Sequence, residues 1–141
     1  MKVIAWLLAV IVGLPILFIA LIYAASELGG EVVTLSRIEA NGEVSQVRVW
    51  IVDEDDKAWI EHGGPDAYWI SSLTAAPEIQ LTRNGQNTTY IGVPDPDAHA
   101  LYHQLRQTKY GIADQIVGIV GPDTDDCDGI PVRLEPSPTS D

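Results

Sequence analysis

The chain has 141 residues, a formal net charge of −12 at pH 7 and a sequence pI near 4.4. So acidic a protein is poorly suited to nucleic acid, because that affinity depends on neutralising phosphates with basic side chains. Its single cysteine, Cys127, excludes an intramolecular disulfide and any site built from several cysteines.

The first 26 residues differ in composition from the rest of the chain. The segment from Val3 to Ala25 contains no charged side chain, and a helix of that length crosses a hydrocarbon core of about 30 Å. The alternative is a cleaved signal peptide, but its apolar core would span only about 7 to 15 residues. The sequence therefore predicts one transmembrane anchor, residues 1–26, in a single-pass membrane protein.

The charges that flank this segment predict its orientation. Lys2 precedes the apolar run and Glu27 follows it, and positive charge is favoured on the cytoplasmic side. We therefore expect the domain that follows, residues 27–135, to face outside the cytoplasm. A polar tail at residues 136–141 is predicted to be disordered.

Six short strands are predicted in the domain from alternating apolar residues and from enrichment in valine, isoleucine and threonine. Two of the connections are Asn-Gly pairs, Asn41-Gly42 and Asn84-Gly85, which are among the strongest signals for a tight hairpin. In chain order the strands are expected at residues 31–38, 44–52, 57–61, 78–83, 86–93 and 131–135.

Helical segments interrupt this series of strands. A short helix is predicted between Asp66, a suitable N-cap, and Pro77, with Trp69 and Leu73 on one face. Two further helices are expected, one from the Pro94–Asp97 segment to Tyr110 and one at residues 112–119.

The predicted order of elements is therefore β-β-β-α-β-β-α-α-β. Six mostly antiparallel strands joined by tight hairpins favour a closed or nearly closed barrel, because closure leaves no strand edge exposed. The fold class predicted is mainly β with helices, a six-stranded barrel preceded by one N-terminal transmembrane helix.

The stretch from residue 63 to residue 85 carries a more specific pattern. Its order is a Gly63-Gly64 loop, a short helix with Trp69 and Leu73, then Pro77 and an alternating strand that ends in the second Asn-Gly turn. Together with the closing segment 131–135, this order resembles the deazaflavin-dependent nitroreductase and quinone reductase family. That family is one branch of the flavin-binding split β-barrels, which include the pyridoxamine-phosphate oxidases.

The resemblance implies a split β-barrel with a cofactor cleft between the barrel and its helices, holding a deazaflavin (coenzyme F420) or FMN. Backbone N–H groups at the glycine turn and the helix N-terminus would meet the cofactor phosphate. Tyr102 and Tyr110 would face the substrate. The cofactor-binding residues expected on this basis are two arginines for the phosphate, Arg37 and Arg48, two ring-flanking indoles, Trp50 and Trp69, and Gly63, Gly64, Ser71 and Ser72.

Two departures from the family pattern leave the identity of the cofactor open. Many deazaflavin enzymes of this group carry Arg-Lys-Ser-Gly after the first strand, where residues 37–43 of this chain read Arg-Ile-Glu-Ala-Asn-Gly-Glu. Asparagines that the family places beside the helix leucine and before the proline are replaced by Ser72 and Ala76. Both a deazaflavin and FMN therefore remain candidates.

The function predicted is that of a membrane-anchored oxidoreductase that reduces a quinone or nitro-type acceptor by hydride transfer from its cofactor. No side chain is identified as a catalytic acid or base. The expected partners are a small-molecule redox acceptor, the membrane and a second copy of the chain, because barrels of the family often dimerise. The alternative is a non-catalytic split-barrel binding or scaffold module tethered to the membrane.

Two further patterns bear on metal binding. His99 and His103 lie four residues apart on one helix face and could bind a metal together with a carboxylate. Two exposed histidines without a metal are the commoner arrangement, so no metal site is predicted. The acidic segment 121–129 lacks the register of a calcium-binding loop, and a solvated loop is expected there.

Overall fold

The structure, a computed structural model, describes residues 2–119 and 127–138. Most of the acidic segment and the last residues of the predicted tail lie outside these ranges. The helices are α1 (Lys2–Leu28), α2 (Tyr68–Ser72), α3 (His99–Tyr110) and α4 (Ile112–Gly118), with a 3₁₀ turn at Pro96–Ala98 before α3. The strands are β1 (Val32–Ile38), β2 (Val44–Glu54), β3 (Lys57–Glu61), β4 (Glu78–Arg83), β5 (Gln86–Pro94) and β6 (Pro131–Pro136).

The six strands form a closed barrel in the order β1-β2-β3-β6-β5-β4. Every neighbouring pair is antiparallel, including the β1–β4 pair that completes the ring. Both the predicted element order and the predicted closure are confirmed. The second Asn-Gly turn adopts positive φ at both residues, 51° at Asn84 and 78° at Gly85, as a type I′ hairpin turn requires.

The N-terminal boundary of α2 differs from its prediction. The N-cap of α2 is Ala67, and no side chain caps this helix, so the cap predicted at Asp66 is wrong. The backbone N–H of Ala67 donates instead to the carbonyl oxygen of Gly64, so a turn closed by backbone atoms leads into the helix.

The barrel interior is filled by alternate residues of the strands and by α2. Side chains such as Leu35, Ile51, Ile60 and Leu81 are almost completely buried, as the alternation predicted for inward-facing positions. Trp69 and Ile70 of α2, and Leu73 directly after it, belong to the same core. A second core lies outside the barrel, where α3 and α4 pack against β2 and β3. It contains Val52, Trp59, Ala98, Tyr102, Tyr110 and Ala113.

Tyr110, the last residue of α3, completes the hydrogen bonding of β2. The ladder between β1 and β2 ends at the Val32–Trp50 pair. The next amide of β2, that of Ile51, donates to the Tyr110 hydroxyl at 3.0 Å. That hydroxyl also lies 2.7 Å from the carbonyl oxygens of both Ile51 and Glu31 and can donate its single hydrogen to either of them. The phenol therefore satisfies backbone groups that a longer β1 would otherwise pair.

Gly30 is required for this arrangement. A Cβ atom at position 30 would lie only 2.0 Å from the Tyr110 ring, so any side chain there would displace the phenol. The chain between α1 and β1 thus passes over the ring where it has no side chain of its own.

A network of ion pairs surrounds the same corner of the barrel. Arg83 donates to both carboxylate oxygens of Glu31, each at 2.7 Å, and to both of Asp53, at 2.8 and 2.9 Å. Lys109 reaches the same two carboxylates at 2.8 Å. These hydrogen bonds, chiefly the one from Arg83, lower the pKa of Glu31. The network ties the end of α3 to β2, β4 and the start of β1.

The predicted transmembrane anchor at residues 1–26, and with it the single-pass membrane localisation, is wrong. A span needs about 20 consecutive, predominantly apolar residues in a helix, and in the described ranges no helix combines that length with sufficient apolarity. The N-terminal segment forms α1, which contacts α4 and whose Glu27 pairs with Arg48.

Replacing Tyr110 by phenylalanine tests the role of its hydroxyl. We expect the Tyr110→Phe variant to lose about 1–3 kcal/mol of unfolding free energy, because the buried Ile51 amide loses its acceptor. Denaturant unfolding followed by circular dichroism measures the change. Tyr68→Phe is the matched control, since Tyr68 is 48% exposed and its change should stay within about 0.5 kcal/mol. Equal stability of the two variants would contradict the assigned role.

Candidate functional site

A groove runs along the outside of the barrel between β1, α2 and β4, and we call it the β1–α2 groove. It consists of two adjoining cavities of about 110 and 270 Å³. Both cavities are lined by Ser36, Arg37, Ile38 and Glu78. The first extends under α2 and the second along β4 and β5 towards Gln80 and Thr89. Together they approach the size of small-molecule sites, which is roughly 300–1,000 Å³.

The β1–α2 groove combines exposed apolar side chains with polar groups. Tyr68, Ile38 and Val44 line it and are 48%, 51% and 68% exposed. Arg37 supplies a positive charge, and hydroxyl groups of Ser36 and Ser72 lie in the same wall. Apolar surfaces with a few polar groups in the same cavity are characteristic of sites for cofactors and other small molecules.

Arg37 already has a partner inside this groove. Its Nε donates to Glu39 Oε1 at 2.8 Å and to Ser45 Oγ at 3.2 Å. The Ser45 hydroxyl also donates to Glu39 Oε1 at 2.5 Å. The hydrogen bond from Ser45, assisted by that from Arg37, lowers the pKa of Glu39. An anionic ligand at Arg37 would therefore compete with the Glu39 carboxylate.

The two faces of helix α2 have different surroundings, one in the core and one along the groove. Trp69 is only 3% exposed, and its indole Nε1 donates to the carbonyl oxygen of His62 at 2.6 Å. Gly63 allows this close approach, because its φ is +126° and a Cβ there would lie 3.3 Å from that Nε1. Trp69 is therefore mainly a core residue that meets the groove at one edge, whereas Tyr68 presents its ring to the groove.

The two serines of α2 bond to their own helix. Ser71 Oγ donates to the Tyr68 carbonyl at 2.9 Å, and Ser72 Oγ donates to that of Trp69 at 2.8 Å. Ser72 lines the groove, whereas Ser71 is exposed on the outer side of α2.

A second cavity, which we call the α3 cleft, is lined by residues of β2, α3 and α4. It has a volume of about 190 Å³. Arg48 enters it and pairs with Glu27 at 2.5 Å. Trp50 also lines it and is stacked on Tyr110, with ring centroids 4.3 Å apart and an interplanar angle of 8°. The cleft is lined by Glu27, Val32, Arg48, Val49, Trp50, Glu61, His62, Tyr102, Arg106 and Val117.

The structure thus divides the predicted site residues between two places. Three of the expected cofactor residues, Arg37, Trp69 and Ser72, meet in the β1–α2 groove. Two others, Arg48 and Trp50, lie in the α3 cleft together with Tyr102, a predicted substrate residue.

The remaining predicted residues have other surroundings. Gly64 lies against the Asp128 carboxylate, 3.1 Å from the position of an added Cβ. Tyr110 is held beneath Trp50 by its backbone hydrogen bonds. Tyr102 is buried, and this burial raises the pKa of its phenol.

Sequence reasoning missed Tyr68, the most prominent aromatic side chain of the groove. A signal for it was present, because Trp69 and Leu73 are predicted to share one face of this helix. Tyr68 and Ser72, also four residues apart, then share a neighbouring face of the helix. An aromatic residue outside the Trp69–Leu73 face of α2 was therefore the indication that the sequence offered for Tyr68.

A third group of functional side chains lies near the α3 cleft, and we call it the Glu61 cluster. It consists of Glu61, His99, His103 and Cys127, whose potential ligand atoms all lie within 4.8 Å of one another. The two histidines had been expected to be exposed, but His103 is 8% exposed. The sequence did not connect Glu61 and Cys127 with the histidine pair, because both residues are distant from it in the chain.

Among the comparisons with known proteins, only solved structures match the chain, and they bear on its fold. No protein-family model matches the chain, and no curated protein matches it significantly. Among solved structures, a provisionally assigned pyridoxamine 5′-phosphate oxidase from Listeria innocua matches with a TM-score of 0.53 at 9% identity, over 82% of this chain and 90% of its own. An F420 reductase matches with a TM-score of 0.47 at 14% identity, over 76% and 86% of the two chains.

A third solved structure also matches the chain. It is a FAD-binding protein from Mesorhizobium loti, which matches with a TM-score of 0.46 at 13% identity, over 82% of this chain and 86% of its own. The match to the Listeria protein supports the split-barrel fold, and identities this low establish nothing beyond the fold. The structure and the sequence resemblance therefore agree on a split β-barrel.

Proposed function

We propose that this domain binds a deazaflavin or flavin cofactor in the β1–α2 groove and uses it to reduce a small-molecule acceptor. The observation that carries the proposal is that a guanidinium group, Arg37, shares one groove with an exposed aromatic ring, Tyr68. A phosphate-bearing cofactor with a planar ring system needs both kinds of contact. The split-barrel fold is consistent with this assignment.

The residues of the groove fit the two parts of such a cofactor. Arg37 would bind the phosphate through charge-assisted hydrogen bonds, with the Ser36 hydroxyl beside it. Tyr68 and Ile38 would cover the ring system and exclude water from it. Trp69 would act indirectly by fixing α2 through its hydrogen bond to His62.

The acceptor class follows from the sequence resemblance. A quinone or a nitro compound is the expected acceptor, because stretch 63–85 resembles nitroreductases and quinone reductases. When bound, the reduced cofactor supplies the hydride. The contribution of this chain is to hold the cofactor and to leave an open side for the acceptor, and the groove is open towards solvent at Val44, which is 68% exposed.

Cofactor titration with arginine variants tests the proposed site. We expect FMN or the deazaflavin coenzyme to bind the full chain and Arg37→Ala to weaken the affinity by about 10- to 100-fold. That range corresponds to about 1.5–3 kcal/mol for a hydrogen bond to a charged group. Fluorescence quenching of each cofactor on titration with protein gives the affinity.

Two further arginine variants make this titration decisive. Arg133→Ala is the matched control, because Arg133 lies on β6 and pairs with Asp95 and Glu135. This substitution should leave the cofactor affinity unchanged. Arg48→Ala tests the α3 cleft. A loss of affinity with Arg48→Ala but not with Arg37→Ala would move the site to that cleft. An absence of binding at high micromolar concentration of both cofactors would favour the non-catalytic binding or scaffold module.

Removal of the Glu39 charge should have the opposite effect to removal of Arg37. Glu39 occupies the Arg37 guanidinium, so Glu39→Gln is expected to tighten cofactor binding by about two- to fivefold, the modest size typical of exposed ion pairs. The same titration measures it. The gain should shrink as salt is added, because screening weakens the competing pair. Weaker binding by Glu39→Gln would contradict a phosphate at Arg37.

Turnover distinguishes an enzyme from a binding module. With reduced cofactor bound to the full chain, we expect a quinone or a nitroaromatic compound to reoxidise it at least about tenfold faster than it reoxidises free cofactor, because binding orients both reactants. Stopped-flow absorbance of the cofactor follows the reaction. Tight binding with a rate equal to that of the free cofactor would leave a cofactor-binding module without reductase activity.

A further inference from the structure

We propose that the Glu61 cluster, formed by Glu61, His99, His103 and Cys127, is a binding site for a zinc-type transition-metal ion. This site lies away from the β1–α2 groove and shares none of its lining residues. It therefore stands independently of the cofactor proposal.

The distances within the Glu61 cluster are close to those of a tetrahedral site. The Nε2 atoms of His99 and His103 are 3.1 Å apart. Each lies 3.8 Å from a Glu61 oxygen, and Cys127 Sγ lies 3.9 Å from Glu61 Oε1. Zinc bonds of about 2.0–2.3 Å in tetrahedral geometry place neighbouring ligand atoms about 3.3–3.7 Å apart. All four ligand atoms lie within 4.8 Å of one another, so side-chain shifts of about 1 Å or less bring four donors around one ion.

These four ligands come from three places in the fold. His99 and His103 are one turn apart on α3, so both imidazoles leave the same helix face. Glu61 is the last residue of β3 and pairs with Pro131 at the start of β6. Cys127 precedes β6 by four residues in the chain, and the approach to β6 is held where the Ile130 amide donates to the Gly63 carbonyl at 3.2 Å.

Gly129 makes the approach of this segment to Glu61 possible. A Cβ atom at position 129 would lie 2.2 Å from Glu61 Oε1. The backbone of the segment thus comes against the carboxylate at the one residue that has no side chain to displace it.

The side chains of the cluster are suited to a cation. Glu61 and His103 are each 8% exposed at the side chain, and a buried carboxylate needs a compensating charge nearby. The imidazole nitrogens of His99 and His103 and the Cys127 thiol all lie within 4.8 Å of the Glu61 carboxylate. A metal ion bound between these groups would compensate the charge of the carboxylate.

The donor set selects the class of metal. Two imidazoles, one carboxylate and one thiolate match the nitrogen, sulfur and oxygen ligands that zinc accepts. Calcium and magnesium prefer sites made entirely of oxygen atoms. Four protein ligands complete a tetrahedral shell, which is typical of structural rather than catalytic zinc. We assign the ion a structural role, the joining of α3 to the β3–β6 edge of the barrel.

One feature limits the expected affinity. In the described part of the chain, His103 Nδ1 has no hydrogen-bond partner, whereas metal-bound histidines usually donate from their second nitrogen to a carboxylate or carbonyl. Partners of that kind typically contribute about 10- to 100-fold to affinity. We therefore expect binding weaker than that of fully supported structural zinc sites.

Cobalt and zinc titrations of the reduced, metal-free full chain test the site. We expect one Co²⁺ per chain with the intense visible absorption of tetrahedral cobalt and a thiolate charge-transfer band, and displacement of Co²⁺ by Zn²⁺. Zinc should also raise the melting temperature, because it binds the folded state. Cys127→Ser should abolish the charge-transfer band and weaken zinc binding by at least about tenfold. His99→Gln and His103→Gln should weaken zinc binding by a similar factor.

The remaining histidine provides the matched control. His62→Gln removes the third histidine of the chain but none of the four ligands, so its cobalt spectrum and zinc affinity should equal those of the unaltered protein. If His103→Gln fails to fold, His99→Gln decides, since the His99 side chain is 25% exposed. Absence of the tetrahedral cobalt spectrum, or an unchanged affinity in Cys127→Ser and His99→Gln, would overturn the proposal.

Discussion

The insertion of β6 between β3 and β5 is the pairing on which the remaining structure depends. β6 is the last strand in the chain, and its two ladders, one to β3 and one to β5, complete the hydrogen-bonded ring. Until β6 pairs, both neighbours are open edges, which sheet proteins normally avoid. The same pairing aligns Pro131 with Glu61 and so brings Cys127 towards α3. Barrel closure and the assembly of the Glu61 cluster therefore both depend on the pairing of β6, the last strand of the chain.

Local chemistry explains why much of the fold could be predicted from the sequence. The bounds of β3 and β4 match their predictions because each strand is delimited by turn residues on both sides, as Asn84-Gly85 delimits β4. Alternation along β2 places Val49 and Ile51 on one face of the strand, and both are buried. These features depend on neighbours in sequence, which a single chain displays directly.

The features that could not be predicted depend on partners distant in sequence. Arg48 and Trp69 are expected in one cleft, but in the structure each lines a different cavity. The Glu61 cluster joins residues 61, 99, 103 and 127, a combination that no local spacing reveals. Apolar composition at residues 1–26 suggested a membrane span, and composition alone did not distinguish that outcome from the α1 of this structure.

The hydrogen bond between the Ile51 amide and the Tyr110 hydroxyl has a consequence for the dynamics of the domain. An amide within the β1–β2 ladder exchanges with deuterium only when the strands separate, whereas the Ile51 amide is protected by a residue of α3. Its exchange rate therefore reports the undocking of the helix, and the rate at Val49 reports opening of the barrel. Comparing these two amides separates the stability of α3 from that of the sheet on which it rests.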